Sequence, residues 1–307
     1  MRAAVVHEYG DPSVVNVADV DDPLVGPDSV LVKVAAAGVN PVDWKVVAGH
    51  LAGAIPHHLP LIPGWDVSGE VVSVGPAVTR VAPGDLVAAY ARKDHVGDGT
   101  FAELVAVPER AVAKVPDGVE LSAAGALPLA GLTAEQLLDA TSVDLGDTVL
   151  VHAASGGVGS FVSQLARLRG ARVIGSASPR NHDYLRGLGV EPVAYGDELV
   201  AQVQRLAPQG VDVVIDLIGG DALEATHGLL ATEGRVASVI DPEAVKALGG
   251  HYVFVRPDGP MLERLLKKVA DASLSVEIAE SFSLEHAGDA LRANKDGHVR
   301  GKIVIEI

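Results

Sequence analysis

A glycine-rich segment between an apolar strand and an amphipathic helix most constrains the fold of this chain. Asp147–Ala154 is nearly continuously apolar, as expected for a strand covered on both faces of a parallel sheet. Ser155–Gly159 then contains three glycines, and Val158–Arg169 has helical spacing of apolar residues. Glycines in such a turn allow a tight bend and the close approach of a pyrophosphate to the start of the helix. The segment predicts a dinucleotide-binding turn formed by Ser155, Gly156, Gly157 and Val158.

Strands and helices alternate through this part of the chain. Further apolar strands are predicted at 172–175, 211–217 and 234–240. Such alternation is typical of a doubly wound parallel sheet, the Rossmann architecture of the α/β class. A glycine cluster alone also fits an ordinary loop, but its place between strand and helix favours nucleotide binding. Gly219 follows the strand at 211–217, at the sheet edge where cofactors bind, and is a further candidate cofactor-binding residue.

The first part of the chain has a different pattern, in which Val-rich stretches are broken by turn residues such as Pro83–Asp85. Strands are predicted at 29–35, 69–74 and 85–90. The pattern predicts a small, mostly antiparallel β domain.

The tail returns to this first pattern. A helix is predicted at 284–293, and 302–307 alternates with a period of two residues, as a half-buried strand does. We therefore expect residues 1–118 and 266–307 to form the β domain, with the α/β domain, residues 119–265, inserted between them.

The choice between NAD and NADP depends on the residues about 20 positions after the glycines. An NAD site usually places Asp or Glu there, but this chain has no carboxylate before Asp183. Ser176 and Ser178 can donate to a 2′-phosphate and Arg180 can neutralise it. The segment predicts NADPH as the cofactor, unless Arg180 is only a solvated loop charge.

The composition excludes several functional classes. With 40 acidic and 24 basic residues the formal charge is −16, which disfavours nucleic acid and anionic membrane surfaces as partners. The absence of cysteine excludes disulfides, thiol nucleophiles and cysteine-bound metals. The longest apolar run, residues 123–132, is far shorter than the roughly 18–20 residues of a membrane span, and residues 1–6 resemble a strand rather than a leader. We expect a cytoplasmic protein.

Several motifs together resemble the zinc-independent quinone oxidoreductase-like branch of the medium-chain dehydrogenase/reductase superfamily, over essentially the full length. The matching stretches are 37–45 (AGVNPVDWK), 62–69 (IPGWDVSG), 99–104 (GTFAEL), 127–134 (LPLAGLTA), 153–159 (AASGGVG) and 301–304 (GKIV). The first two are most similar to plant alkenal/enone oxidoreductases. The resemblance implies a GroES-like catalytic domain beside a Rossmann domain, an active site in the cleft between them, and a homodimer. It also implies NADPH-dependent transfer of hydride to quinones or to the C=C bond of α,β-unsaturated carbonyls.

A zinc ion is not expected. The positions that hold catalytic zinc in the superfamily's alcohol dehydrogenases correspond to Asn40 and Trp65, and neither is a good zinc ligand. His57 and His58 are adjacent in a proline-rich segment and are more typical of solvated histidines than of ligands.

The resemblance and the absence of zinc together indicate the catalytic residues. Lys45 is the candidate cation that stabilises negative charge on the substrate oxygen, with Asp43 to orient it. Asn40 is a candidate to hold the substrate carbonyl or the nicotinamide ribose, and Trp65 to form a wall of the substrate site. The alternative for Lys45 is an exposed residue at the end of a strand.

By the same resemblance, Thr133, Tyr195 and Lys302 are candidate cofactor-binding residues, although Thr133 also fits a helix interior. The positions of the active-site tyrosines of bacterial quinone reductases correspond to Lys45 and Leu51, which favours enones over quinones. Two alternatives stay open: a reductase of enoyl thioesters in a biosynthetic pathway, and an NADPH-binding protein without turnover.

Overall fold

The structure is a computed structural model that describes residues 1–307 and divides into two compact units. The first unit consists of Met1–Leu132 and Pro257–Ile307, and the second of Thr133–Arg256. The predicted boundaries at 118/119 and 265/266 therefore differ from those of the compact units. The reason is that the helices at Leu121–Ala126 and Gly259–Ala270 pack against strands of the first unit.

The first 132 residues contain nine strands, two complete helices and the start of a third. The strands are β1 (Arg2–Val5), β2 (Asn16–Asp19), β3 (Ser29–Val39), β4 (His57–Ile62), β5 (Asp66–Val74), β6 (Leu86–Tyr90), β7 (Val96–Asp98), β8 (Leu104–Pro108) and β9 (Val112–Lys114). The helices are α1 (Pro41–Val47), α2 (Leu121–Ala126) and α3 (Pro128–Ala140), and α3 continues into the second unit.

The second unit alternates strands with helices. Its strands are β10 (Thr148–Val151), β11 (Arg172–Ala177), β12 (Glu191–Ala194), β13 (Val211–Asp216), β14 (Leu230–Ser238) and β15 (His251–Tyr252). Its further helices are α4 (Gly157–Leu168), α5 (His182–Gly187), α6 (Leu199–Leu206), α7 (Gly220–Ala225) and α8 (Pro242–Ala247). The tail then adds α9 (Gly259–Ala270), β16 (Ile278–Ser283), α10 (Ala287–Asp296) and β17 (Lys302–Glu306) to the first unit.

The second unit is the doubly wound sheet that the sequence predicts. Its strand order is β12-β11-β10-β13-β14-β15, and every neighbouring pair is parallel. The order reverses between β10 and β13, which is the position where such sheets bind dinucleotides. The apolar side chains of the central strands are fully buried because helices cover both faces, for example at Leu150, Ile174 and Val214.

The first unit is built on a seven-stranded sheet in the order β16-β17-β3-β5-β6-β9, with β8 also paired to β3. All pairs in it are antiparallel except β16 with β17. The tail does rejoin the first part of the chain, since β17 lies between β16 and β3 and its Ile303 pairs with Val39. Lys302–Ile305 is buried on both faces rather than one, because α2 and α10 pack against β17. No helix is both long and apolar enough to cross a bilayer.

Candidate active site

Lys45 lies on the short helix α1 rather than at the end of a strand. Asn40, with an extended backbone (φ −129°, ψ 156°), precedes the helix, and Pro41 is its first residue. Proline is favoured there because its missing N–H would have no helical partner and its fixed φ suits the helix. The Lys45 ammonium forms no hydrogen bond or ion pair, and Nζ lies 5.7 Å from the centre of the Trp44 ring. The cation is therefore available to a ligand.

Asp43 does not orient Lys45, because the two side chains form no ion pair. Its Oδ2 accepts a hydrogen bond from the Asn40 backbone N–H at 2.7 Å, which satisfies a donor at the start of α1. The other oxygen, Oδ1, is buried without a hydrogen-bond partner. Burial raises the pKa of the Asp43 carboxyl to about 8, with a smaller contribution from the negative charge of Asp66.

Asn40, Asp66 and Lys302 form a buried polar network, which we call the Lys302 network. Asn40 Nδ2 donates to Asp66 Oδ2 at 2.9 Å, and Lys302 Nζ donates to Asn40 Oδ1. The ammonium also donates to the Val39 carbonyl at 3.1 Å and lies 3.9 Å from Asp66 Oδ2. Asp66 Oδ1 accepts from the Leu129 N–H in the first turn of α3 at 2.7 Å. The network thus joins the starts of α1, α3, β5 and β17.

The electrostatics of this network follow from its burial. Desolvation raises the pKa of Asp66 to about 6, while Lys302 and the hydrogen bond from Asn40 oppose the shift. Desolvation lowers the pKa of Lys302, and the carboxylates of Asp66 and Asp43 oppose that shift. A buried charge is tolerated when it is paired and its donors have acceptors, as the Lys302 ammonium is here.

Two predicted residues have contacts that the sequence did not indicate. Lys302 was predicted to bind the cofactor, but its ammonium is bound to Asn40 and Asp66 within the first unit. Trp65 is only 6% exposed and packs edge-on against Tyr90, with ring centres 6.2 Å apart. Neither Asn40 nor Lys302 has a free polar end directed to solvent, which favours a structural role for both.

The glycine turn in the second unit connects β10 to α4. A Cβ atom on Gly159 would lie 2.2 Å from the Ala153 carbonyl oxygen and 2.8 Å from Ala154 Cα, so only glycine fits. Ala153 has a positive φ of 51°, which is uncommon for a residue with a side chain. Gly156 caps α4 with an extended backbone. The first N–H groups of α4 have no partners within the helix, and a bound pyrophosphate would satisfy them.

Buried side chains hold this turn in place. Ser176 is 1% exposed, and its Oγ accepts a hydrogen bond from the Ala153 N–H at 3.2 Å. The burial of Ser176 disfavours its predicted role as a donor to a 2′-phosphate. Asn181 Nδ2 donates to Ser155 Oγ at 3.0 Å, which links the turn to the loop that follows β11. His152 Nδ1 lies 3.4 Å from Ser176 Oγ, and burial lowers the pKa of this histidine.

The remaining predicted cofactor residues follow strands of the second unit, except Thr133, which lies inside α3. Ser178 is half-buried, Arg180 is exposed, and both follow β11. Tyr195 follows β12 and is 59% exposed, whereas Thr133 is buried in α3. Gly219 follows β13, with a positive φ of 76°.

Three residues that shape the site were missed from the sequence: Asp66, Asn181 and Asp216. Asp216 is fully buried at the end of β13 and accepts from the N–H groups of Ile218 and Gly219 and from Ser238 Oγ. Asp66 and Lys302 have opposite charges, and each is the first residue of a largely apolar strand. This pattern could have indicated a buried ion pair. Nothing comparable distinguishes Asn181 in the sequence.

A parallel sheet with a glycine turn at its switch point is typical of dinucleotide-binding units, and this chain also contains a β-rich unit. The family "Alcohol dehydrogenase GroES-like domain" matches residues 26–117, and the family "Zinc-binding dehydrogenase" matches residues 188–305. The chain is 32% identical to the chloroplast envelope quinone oxidoreductase homolog of Arabidopsis thaliana, over 100% of this chain and 98% of that protein. It is also 32% identical to the NADPH-dependent alkenal/one oxidoreductase, chloroplastic, of the same plant, over 99% of this chain and 79% of that protein.

The same relationship is seen in three dimensions. The quinone oxidoreductase from Coxiella burnetii superposes with a TM-score of 0.89 at 33% identity, over 100% of this chain and 99% of that one. The chain belongs to the quinone oxidoreductase-like branch of the medium-chain dehydrogenase/reductase superfamily, and it is an oxidoreductase that uses a nicotinamide cofactor. The Gly159 contact with Ala153 and the open start of α4 fit such a cofactor.

The residues do not fit the zinc ion that one family description mentions. The Lys302 network contains an ammonium, an amide and one carboxylate, and the protein has no cysteine. Catalytic zinc is usually held by His, Cys or carboxylate side chains, and an ammonium among them would repel the metal. Nowhere in residues 1–307 do three His, Asp or Glu side chains converge as a metal site.

Proposed function

We propose that this protein is an NADPH-dependent, zinc-free reductase of α,β-unsaturated carbonyls and quinones, with Lys45 as the electrophilic residue. The observation that carries the proposal is that the Lys45 ammonium has no hydrogen-bond or ion-pair partner. The other charged residue of the same helix, Asp43, is buried and accepts a hydrogen bond from the Asn40 N–H. The family relationship and the names of the relatives support the reaction class.

The role of Lys45 follows from the charge that develops during the reaction. When bound, NADPH would supply the hydride for the reduction. Addition of that hydride to the β-carbon of an enone breaks the C=C π bond and places negative charge on the carbonyl oxygen. The Lys45 ammonium donates a hydrogen bond to this oxygen, which stabilises the transition state more than the neutral ground state. A proton from solvent then reaches the α-carbon and completes the reduction.

The preference for NADPH over NADH is also part of the proposal. The loop after β11 offers a half-buried hydroxyl at Ser178 and an exposed guanidinium at Arg180, with no carboxylate before Asp183. A 2′-phosphate is attracted by a guanidinium, whereas the ribose hydroxyls of NADH are usually bound by a carboxylate that is absent here.

The test is a substrate panel of simple enones, quinones and enoyl thioesters with NADPH, in which oxidation is followed by absorbance. We expect turnover with enones to exceed turnover with the other two classes. Faster turnover of enoyl thioesters would show that they, and not enones, are the substrate class. Thermal stabilisation by NADPH without oxidation of any substrate would instead indicate a binding protein.

A homodimer in the cytoplasm completes the proposal. The family relationship supports the assembly. Light scattering after size-exclusion chromatography measures the first, and fractionation of the source cells measures the second. A monomeric mass, or recovery with an organelle or envelope fraction, would contradict the respective statement.

A further inference from the structure

The three side chains of the Lys302 network are almost completely buried, although two of them are charged. Asn40 is 1% exposed, Asp66 0% and Lys302 4%. Replacing a buried ion pair by apolar residues of similar size is often neutral or stabilising, so such a pair is weak support for stability alone. A role that depends on its geometry explains the network better.

The geometry of the network fixes one amide group at the start of α1. Asn40 Oδ1 accepts from Lys302, and Asn40 Nδ2 donates to Asp66, so both ends of the amide are held. The backbone N–H of the same residue donates to Asp43 in the first turn of α1. The entry of the chain into α1 is thus held by side chains from β5 and β17.

The helix that follows is short, and it also packs against α10. α1 has only seven residues, and helices this short have little intrinsic stability. Lys45 lies in its second turn, five positions after Asn40, so we expect a displaced helix start to displace the ammonium. Lys302 is 262 positions from Asn40 in the chain, and its ammonium also holds the Val39 carbonyl just before the helix.

We infer that Lys302 and Asp66 are positioning residues for Lys45, which act by holding the Asn40 side chain at the start of α1. This inference rests on the proposed function, in which Lys45 contacts the substrate oxygen. Unlike an ordinary structural ion pair, this pair would lower turnover when removed, because the Lys45 ammonium would be displaced.

A double-mutant cycle tests this connection. We expect Lys302→Met to lower kcat for a simple alkyl vinyl ketone by about 10- to 100-fold, the range for a catalytic group displaced by about 1 Å. The KM for NADPH should change by less than about twofold. In a Lys45→Met background the same Lys302→Met change should lower kcat by less than about threefold, since coupled residues are non-additive. Equal losses in the two backgrounds would overturn the inference.

Two further variants separate positioning from stability. Lys33→Met is the matched control, because Lys33 is an exposed lysine on β3 of the same sheet, and it should retain the parent kcat. If Lys302→Met does not fold, the pair Lys302→Met and Asp66→Asn removes both charges together and enters the same cycle. If that pair also does not fold, the network serves stability and the inference is wrong.

A spectroscopic readout keeps this test independent of turnover. Trp44 lies on α1 beside Lys45, and Trp65 precedes Asp66; they are the two tryptophans of the protein. With 5-fluorotryptophan incorporated, Lys302→Met should shift the ¹⁹F resonance of Trp44, assigned through Trp44→Phe, and Lys33→Met should not. An unshifted Trp44 resonance would overturn the inference. A shifted resonance in a protein that reduces no enone would retain the anchoring of α1 and refute only the proposed function.

Discussion

At the scale of single residues, Lys45 and Lys302 show how environment divides two similar side chains between roles. Lys302 is buried. Its ammonium donates hydrogen bonds to two oxygens and forms an ion pair with Asp66, and burial lowers its pKa. Lys45 is partly exposed and makes only a ring contact with Trp44. A cation without a protein partner is suited to bind charge that appears during a reaction.

Removal of the Lys45 charge tests its role directly. Lys45→Met retains the aliphatic chain, so packing is largely preserved while the donor is lost. We expect kcat for enones to fall by about 10²–10³-fold, the usual effect of losing one such donor. The fall for quinones should be smaller, because a ring that becomes aromatic on reduction needs less stabilisation of its oxygen.

The measurement is steady-state kinetics with NADPH, alongside the melting temperature. Lys33→Met, on the exposed part of β3, serves as the control and should behave as the parent. Enone reduction by Lys45→Met at the parent rate would show that another group stabilises the oxygen.

Arg180 is expected to discriminate between the two nicotinamide cofactors. A hydrogen bond to a charged group contributes about 1.5–3 kcal/mol, which corresponds to about 10- to 100-fold in affinity. Arg180→Ala should weaken NADPH binding by that factor and leave NADH binding nearly unchanged, as measured by calorimetric titration. Arg186→Ala, at the end of α5 where Arg186 pairs with Asp183, is the control. Equal weakening of both cofactors would indicate a role in folding or in a shared contact.

Asp43 is expected to make stability depend on pH. Its pKa rises from 3.8 in the unfolded chain to about 8 in the folded protein, so folding takes up a proton between these values. Stability therefore decreases as pH rises through this range. Asp43→Asn retains an acceptor for the Asn40 N–H and removes the titration.

We expect the melting temperature of the parent to fall more between pH 5 and pH 8 than that of Asp43→Asn, by roughly 5 °C. Asp66, whose pKa burial also raises, is present in both proteins, so the difference between them reports Asp43. Parallel pH profiles would mean that the Asp43 carboxyl is ionised throughout this range.

At the scale of elements, the turn from β10 to α4 depends on the close approach of Gly159 to the Ala153 carbonyl oxygen. Gly159→Ala would place a methyl group 2.2 Å from the Ala153 carbonyl oxygen, so the turn must shift. We expect the affinities for NADPH and NADH to fall together, by about tenfold or more, and the melting temperature to fall by several degrees. Gly187→Ala at the end of α5, where an added Cβ meets nothing within 4 Å, is the matched control. Unchanged binding of both cofactors would exclude the turn as their site.

The elements with a clear pattern were predictable, and those that depend on tertiary contacts were not. The apolar β10 and the amphipathic α4 were identified within a few residues because burial imposes their periodicity. The helix α1 was missed, since seven residues are too few to show a helical period. Its anchor could not be predicted either, because the pairing of Asn40 with Lys302 depends on the order of strands in the sheet.

At the scale of the whole molecule, the motifs identified both the fold class and the superfamily. Family patterns carry the spacing between strands, so they place the glycine turn between β10 and α4, as the structure does. They do not reveal whether a polar residue faces a ligand or another side chain. For that reason Asp43 and Lys302 were assigned roles in the site that their hydrogen bonds do not support.

Activity should be indifferent to metal removal. The Lys302 network does not fit zinc, and the proposed reaction uses the Lys45 ammonium in its place. We expect EDTA to leave turnover unchanged and elemental analysis to find no stoichiometric zinc. A zinc content that rises and falls with activity across preparations would contradict the proposed mechanism.

The position of β17 between β16 and β3 affects the order in which the protein folds on the ribosome. The second unit, Thr133–Arg256, is continuous in the chain and has emerged completely before β17 is translated. The end of β3 at Ala36–Val39, by contrast, pairs with residues 303–306 of β17. That edge of β3 is therefore unpaired until these residues emerge. Nascent domains fold as units during synthesis. We therefore expect the unit that carries the nucleotide turn to fold first, whereas the start of α1 gains its bonds to Lys302 only when the C-terminal segment emerges.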